Sequence, residues 1–181
     1  MEFNLKTISK DGIPEAISKV ELYRSLNEPE EAESICRDIL AADPGNQLAL
    51  RFLGLTLTDQ FEGRHSDRYA EAEKIFLALA DPYEMHYYTG LLLERRAKAQ
   101  IRAGVTAHIL VGSLHEAMRR FEEAEKLRPP NNDDAMLRWN RCVRLLEKLE
   151  HAPVEERHTV FEDDDTAPIA IMRRPGGRAT K

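Results

Sequence analysis

Residues 116–133, EAMRRFEEAEKLRPPNND, decide the fold because they show where one helix must end and the next can begin. Small and large apolar residues recur at helical spacing in the first twelve positions, as in an amphipathic helix. Pro129 and Pro130 then end the helix, since proline lacks an N–H and restricts the residue before it. Asn131 and Asn132 follow, and asparagine is a preferred N-cap. The stretch therefore predicts a tight junction between two helices.

The same junction occurs three times along the chain. A small residue, a larger residue four positions later and a further apolar residue precede Pro44, Pro82 and Pro129. The three triplets are Ala32, Cys36 and Ile39; Ala72, Phe76 and Leu79; and Ala117, Phe121 and Ala124. A small residue lets the two helices of a hairpin approach closely, and the large residue fills the space toward the next hairpin. The spacing predicts three stacked helical hairpins.

Seven helices are predicted, and the alternating pattern of β-strands is nearly absent. Their predicted ranges are about 13–27, 29–43, 47–60, 67–80, 83–103, 106–128 and 133–150. The start of the sixth helix stays open. It begins near Thr106, or near Ser113, where Ser113 and Glu116 fit a capping box. The fifth and sixth helices form an elongated third hairpin.

This pattern resembles the tetratricopeptide (TPR) repeat, a helix–turn–helix of about 34 residues with the pattern W-x₂-L-G-x₂-Y…A-x₃-F…P. Residues 50–57, LRFLGLTL, match the first helix of that pattern, and residues 89–93, TGLLL, match it in part. The resemblance covers about residues 13–150. The chain also resembles a bacterial TPR-like family without an assigned activity.

The resemblance implies an all-α fold, a short right-handed α-solenoid of three TPR-like hairpins closed by a C-terminal capping helix. Residues 13–151 would form this helical domain. Residues 1–12 would be an N-terminal extension, and residues 152–181 a flexible C-terminal tail. The tail contains EDDDTAPIAIM at residues 162–172, which either docks on a partner or on the chain's own groove, or only aids solubility.

Composition and charge argue against several classes of protein. The chain is 42% hydrophobic and 32% charged, which is ordinary for a soluble globular protein. It has no apolar run long enough for a membrane span and no segment of signal-peptide type. Its net charge of −6 does not favour nucleic-acid binding. Cys36 and Cys142 are expected to be buried thiols, which indicates the cytoplasm.

No residue is expected to be catalytic, and no cofactor or metal is expected. The histidines at 108 and 115, and those at 151 and 158, are seven apart, which is about 10.5 Å along a helix. That separation is too long for two ligands of one metal ion. The chain also lacks a phosphate-binding glycine loop and a nucleophile elbow in strand–helix context. We therefore expect a protein that is not an enzyme.

The first helices of TPR hairpins line a concave surface that receives peptides. The repeat register places seven partner-binding candidates there: Arg51, Tyr87, Glu94, Arg95, Lys98, Asn140 and Arg144. Two alternatives stay open. The charged run at residues 94–98 also fits a solvated helix face, and Tyr87 and Tyr88 also fit packing between hairpins.

The expected function is that of a protein–protein interaction scaffold or adaptor that binds a peptide or partner surface in this groove. One alternative is a non-catalytic accessory or regulatory subunit of an enzyme complex, acting through its tail. A further alternative is a self-assembling scaffold, since repeats can stack end to end.

Overall fold

The computed structural model describes residues 3–61 and 67–151, and α-helices make up most of both ranges. The helices are α1 (Ile13–Ser25), α2 (Pro29–Ala42), α3 (Gln47–Asp59), α4 (Asp67–Leu77), α5 (Pro82–Arg102), α6 (Ala107–Leu127) and α7 (Asp134–His151). A short 3-10 helix, Lys10–Gly12, precedes α1. No strand occurs in these described ranges, so the predicted all-α class is confirmed.

The structure corrects the predicted end of α4 and decides between the two predicted starts of α6. Helix α4 ends at Leu77 instead of near residue 80, because the Ala80 N–H donates to Gln47 Oε1 at 2.8 Å and the chain has already turned toward α3. Helix α6 begins at Ala107, directly after Thr106. The alternative start at Ser113 is wrong, since Ser113 lies inside α6.

Asparagine, aspartate and proline residues occupy the junctions between helices. Asn46 caps α3 by accepting from the Ala49 N–H at 3.0 Å, and Asp81 caps α5 by accepting from the Tyr83 N–H at 2.8 Å. Pro82 is the first residue of α5, where its missing N–H leaves no hydrogen bond unmade. Asn131, after the double proline, has a positive φ of 63°, which asparagine tolerates better than most residues.

The three triplets that predicted the hairpins are all buried, and the exposure of each of the nine residues is 6% or less. Helices α5 and α6 are 21 residues long, against 14 for α2, so the elongated third hairpin is confirmed. The predicted tail at residues 152–181, and the predicted loop and N-cap at residues 62–66, lie outside the described residues.

Helix spacing within two hairpins depends on a phenylalanine ring packed against a glycine. A Cβ atom added to Gly54 of α3 would lie 2.3 Å from the Phe76 ring of α4. A Cβ added to Gly90 of α5 would lie 2.8 Å from the Phe121 ring of α6. Both rings are fully buried, so neither can move aside into solvent. The rings therefore pack directly on the backbone of the facing helix.

Each helix packs mainly against its neighbours in sequence. In addition α1 contacts α3, α3 contacts α5, and α5 contacts α7. The odd-numbered helices are thus neighbours in space, and side chains on successive odd helices can meet. This arrangement brings together the residues of the candidate surface described below.

We expect Gly54→Ala to lower the free energy of unfolding by about 1–3 kcal/mol, because the added methyl group collides with a buried ring. Gly112→Ala is the matched control. Gly112 also lies within a helix but has no neighbouring atom within 4 Å of an added Cβ. There alanine should stabilise the protein by about 0.5–1 kcal/mol. Urea unfolding followed by circular dichroism would measure both changes, and equal stability of the two variants would contradict the contact.

A cluster of ion pairs around Glu33 ties α2 to α3 and α4. The Glu33 carboxylate accepts hydrogen bonds from Gln60 at 2.7 Å and from Arg68 at 2.5 Å. Arg37 donates to Glu33 at 2.6 Å and to Glu71 at 3.0 Å. Burial alone would raise the pKa of Glu33, but the hydrogen bonds from Gln60, Arg37 and Arg68 outweigh it and lower the pKa. The charged carboxylate therefore stabilises the fold.

The pKa of Glu33 is lower in the folded protein than in the unfolded chain, where it is about 4.3. The ionised Glu33 carboxylate therefore stabilises the fold fully above that pH, and this contribution is lost as the pH falls through the pKa of the folded state. We expect Glu33→Gln to be less stable than the wild type at pH 7, and this difference to shrink on acidification below about pH 4.5. Thermal unfolding at a series of pH values would measure it. Glu21→Gln, a change at an exposed position of α1, is the control and should show no such convergence.

Candidate partner-binding surface

The seven residues that the sequence assigned to a partner-binding surface lie on three odd-numbered helices. Arg51 is on α3, and Tyr87, Glu94, Arg95 and Lys98 are on α5. Asn140 and Arg144 are on α7, and both are exposed. Because α3 contacts α5 and α5 contacts α7, the seven come from adjacent helices. They differ in burial and in their contacts, and their role in binding stays a prediction.

Arg51 forms an ion pair within the described structure. Its Nη1 donates to Glu84 Oε1 at 2.5 Å, from α3 to α5, and both side chains are largely buried. The guanidinium also lies 5.8 Å from the centre of the Phe52 ring. Arg51 therefore helps to hold two odd-numbered helices together.

Arg95 is held in a clasp centred on Asp59, at the C-terminal end of α3. Arg95 Nη1 donates to Asp59 Oδ1 and to Thr58 Oγ1, the latter at 2.6 Å. The second oxygen of Asp59 accepts from Arg24 Nε of α1 at 2.8 Å. One carboxylate thus joins α1, α3 and α5. The sequence did not single out Asp59 or Thr58, because neither lies near Arg95 in the chain.

Tyr87 belongs to an aromatic cluster that spans two hairpins. Its ring lies 5.8 Å from Tyr83, 5.0 Å from Tyr88 and 6.0 Å from Phe121, measured between ring centres. Tyr88 stacks on Phe76 at 5.4 Å. Both Tyr87 and Tyr88 are partly buried, which agrees with packing between hairpins. Part of the Tyr87 side chain is still exposed to solvent.

Glu94 is the most unusual residue of the set, because its charged side chain is fully buried, with 0% exposure. Neither carboxylate oxygen accepts a hydrogen bond from any residue that the structure describes. Its nearest cation is Arg138 of α7, with Nη1 3.6 Å from Oε1. An isolated buried carboxylate is costly, so Glu94 depends on nearby positive charge.

That positive charge comes from both α5 and α7. Lys98 lies one turn after Glu94 and is half-buried. Burial lowers the pKa of Lys98. The positive charges of Arg141, Arg102 and Arg138 lower that pKa further, whereas the negative charge of Glu94 raises it and offsets part of the decrease. Glu94 is therefore the counter-ion of a group of cations. We call the set Lys98, Arg138, Arg141 and Arg144 the cationic surface.

The sequence reasoning named Lys98 and Arg144 but missed Arg138 and Arg141. The signal was present, because Arg138, Arg141 and Arg144 are spaced by three residues on one helix and so share a face. Arg141 and Arg144 form no ion pair with any residue in the described ranges.

A small pocket of about 200 Å³ adjoins this surface. It is lined by Thr58, Asp59, Phe61, Arg95, Lys98, Ala99 and Arg102, and is therefore rich in positive charge. A larger pocket, about 670 Å³, lies on the other side of Asp59, and its lining includes three acidic residues of the α1–α2 junction, Glu28, Glu30 and Glu31. Asp59 lines both pockets. The contacts of Asp59 with Arg24 and Arg95 therefore lie between the basic pocket and the acidic one.

Within residues 3–61 and 67–151, no group of three or more histidine, cysteine or acidic side chains is arranged to hold a metal ion. None of the described helices is long and apolar enough to cross a membrane. No protein-family model and no curated protein matches the chain.

Replacing Glu94 or Arg138 should destabilise the protein. Arg138→Gln would leave the buried Glu94 carboxylate without its nearest cation, and Glu94→Gln would remove the charge that offsets the repulsion among the neighbouring cations. We expect Glu94→Gln to cost about 1–3 kcal/mol of unfolding free energy. The double variant Glu94→Gln with Arg138→Gln should cost less than the sum of the two single changes. Denaturant unfolding of the four proteins in this cycle would measure the coupling, and strict additivity would show that the two charges do not interact.

Proposed function

We propose that this chain is a non-catalytic protein-interaction module that binds an acidic segment of a partner protein through the cationic surface. The observation that carries the proposal is the group of cations on α5 and α7, two helices that contact each other, beside one buried carboxylate whose nearest cation is Arg138. Arginine is well suited to binding carboxylates, because its planar guanidinium can donate two parallel hydrogen bonds. A partner with several aspartate or glutamate side chains matches this surface in charge.

The architecture that fits this function is a short right-handed α-solenoid of three TPR-like hairpins, with α7 as the capping helix. Three observations support it: the nine triplet residues are buried, glycine meets phenylalanine in two hairpins, and the odd-numbered helices contact one another. In such an array the odd-numbered helices line the concave side, where peptides bind. The cationic surface then forms one end of the groove.

A cytoplasmic location fits the state of the cysteines. Cys36 and Cys142 are unpaired and buried, and burial raises the pKa of each thiol to about 12. Thiols with so high a pKa are not reactive at neutral pH. They behave as small apolar core residues, which supports a reducing compartment.

The proposal is tested by selecting binders from a library of displayed random peptides on the full chain, and then measuring synthetic copies of them. We expect the selected peptides to be acidic. Lys98→Gln with Arg141→Gln should weaken their binding at least ~10-fold and reduce its dependence on salt. The effect should be mainly on the rate of association, because charges at the rim of a binding surface act chiefly by attracting the partner.

The matched control is Arg119→Gln with Arg120→Gln on α6, which removes the same amount of charge. These two arginines pair with Glu116, and such exposed pairs contribute little to stability. Binding should stay unchanged in this variant. Equal loss in both double variants, with the helical signal intact, would show that peptides do not bind at the cationic surface.

A further inference from the structure

The sequence beyond α7 contains an acidic block, Glu162, Asp163, Asp164 and Asp165, that the described structure does not include. We propose that this block binds the cationic surface of the same chain and so competes with an acidic partner. The inference rests on the proposed function, because it assigns a second occupant to the same surface. It is carried by three observations: charge, distance and covalent connection.

The charges are complementary. The cationic surface has four positive side chains, of which Lys98, Arg138 and Arg141 lie near Glu94 and Arg144 follows Arg141 on α7. The single negative charge of Glu94 is fully buried and cannot neutralise all four. The acidic block supplies four negative charges in a row. Residues 173–181, at the other end of the same sequence, carry only positive charge and match the surface in sign. Within residues 152–181 the acidic block is therefore the segment suited to this surface.

The connection is long enough. Arg138 lies about 20 Å along the helix from His151, the last residue of α7. The ten residues 152–161 join His151 to the acidic block and span up to about 33–36 Å when extended. The block can therefore reach the three arginines of the cationic surface, Arg138, Arg141 and Arg144, without a change in the helices.

Covalent connection makes even a weak interaction effective. A segment tied to its site by a short linker has an effective concentration in the millimolar range. Exposed ion pairs are individually weak, but at this concentration several together suffice to fill the surface. A partner must then displace the block, so its apparent affinity is reduced. The contact is an autoinhibitory one that salt weakens.

The first arm of the test measures whether the block lies near α7 in the full chain. Trp139, the only tryptophan, is on α7 beside Arg138 and serves as the energy donor. An acceptor dye is attached at Thr166→Cys, while the two native cysteines are buried and stay unlabelled. Energy transfer should fall with added salt and with Asp163→Asn plus Asp164→Asn.

The matched control for this arm is Glu155→Gln plus Glu156→Gln, which removes the same charge from the same segment outside the acidic block. It should leave energy transfer unchanged. Lys98→Gln with Arg141→Gln should lower the transfer as much as the change in the block does. Equal transfer in the two tail variants would overturn the inference.

The second arm measures binding of a free peptide, TVFEDDDTAP, which copies residues 159–168. It should bind the Asp163→Asn plus Asp164→Asn protein at least ~10-fold more tightly than the wild type, since the tethered competitor is weakened. Equal affinity for both proteins, with binding that still needs Lys98 and Arg141, would overturn the autoinhibitory contact and leave the proposed function standing. Absence of binding to either protein would overturn the autoinhibitory contact, whereas the proposed function is decided by the selected acidic peptides and their dependence on Lys98 and Arg141.

Discussion

The close contact between a glycine and a buried phenylalanine sets the geometry on which the rest of the structure depends. Gly54 meets Phe76, and Gly90 meets Phe121, at distances that leave no room for a Cβ atom. Each of these two hairpins is thereby fixed as a unit, with its first helix held against the phenylalanine ring of its second. Side chains on successive first helices can then meet in defined pairs, such as Arg51 with Glu84 and Arg95 with Asp59.

Much of this fold could be predicted from the sequence because the signals are local. Apolar periodicity defines the helices, and the prolines at 44, 82 and 129 mark their junctions. The small–large triplets identify the buried positions, since a helix repeats its face every three to four residues. The end of α4 could not be predicted in this way, because it is set by a hydrogen bond from Ala80 to Gln47, 33 residues away.

The candidate surface was less predictable, and residues 94–98 show why. Residues 94–98, ERRAK, form one charged run in the sequence, yet the first three side chains lie in different environments. Glu94 is buried beside Arg138, Arg95 is bound to Asp59, and Arg96 lies 4.1 Å from the centre of the Tyr69 ring. Successive helical residues point about 100° apart, so one run faces three different neighbours. Which neighbour each one meets is a tertiary property without a local signal.

The burial of Glu94 links the stability of the fold to its binding surface. A carboxylate without hydrogen bonds gains little from burial, and apolar residues in place of such a pair are often equally stable. Stability alone thus gives no reason for Glu94 at this position. Its charge does have a consequence on α5 and α7, where it offsets the mutual repulsion of Lys98, Arg138 and Arg141. Because Glu94 is buried beneath these cations, it offsets their repulsion from below and pairs directly with Arg138. The acidic segment that we propose to bind there would approach the same cations from the solvent side.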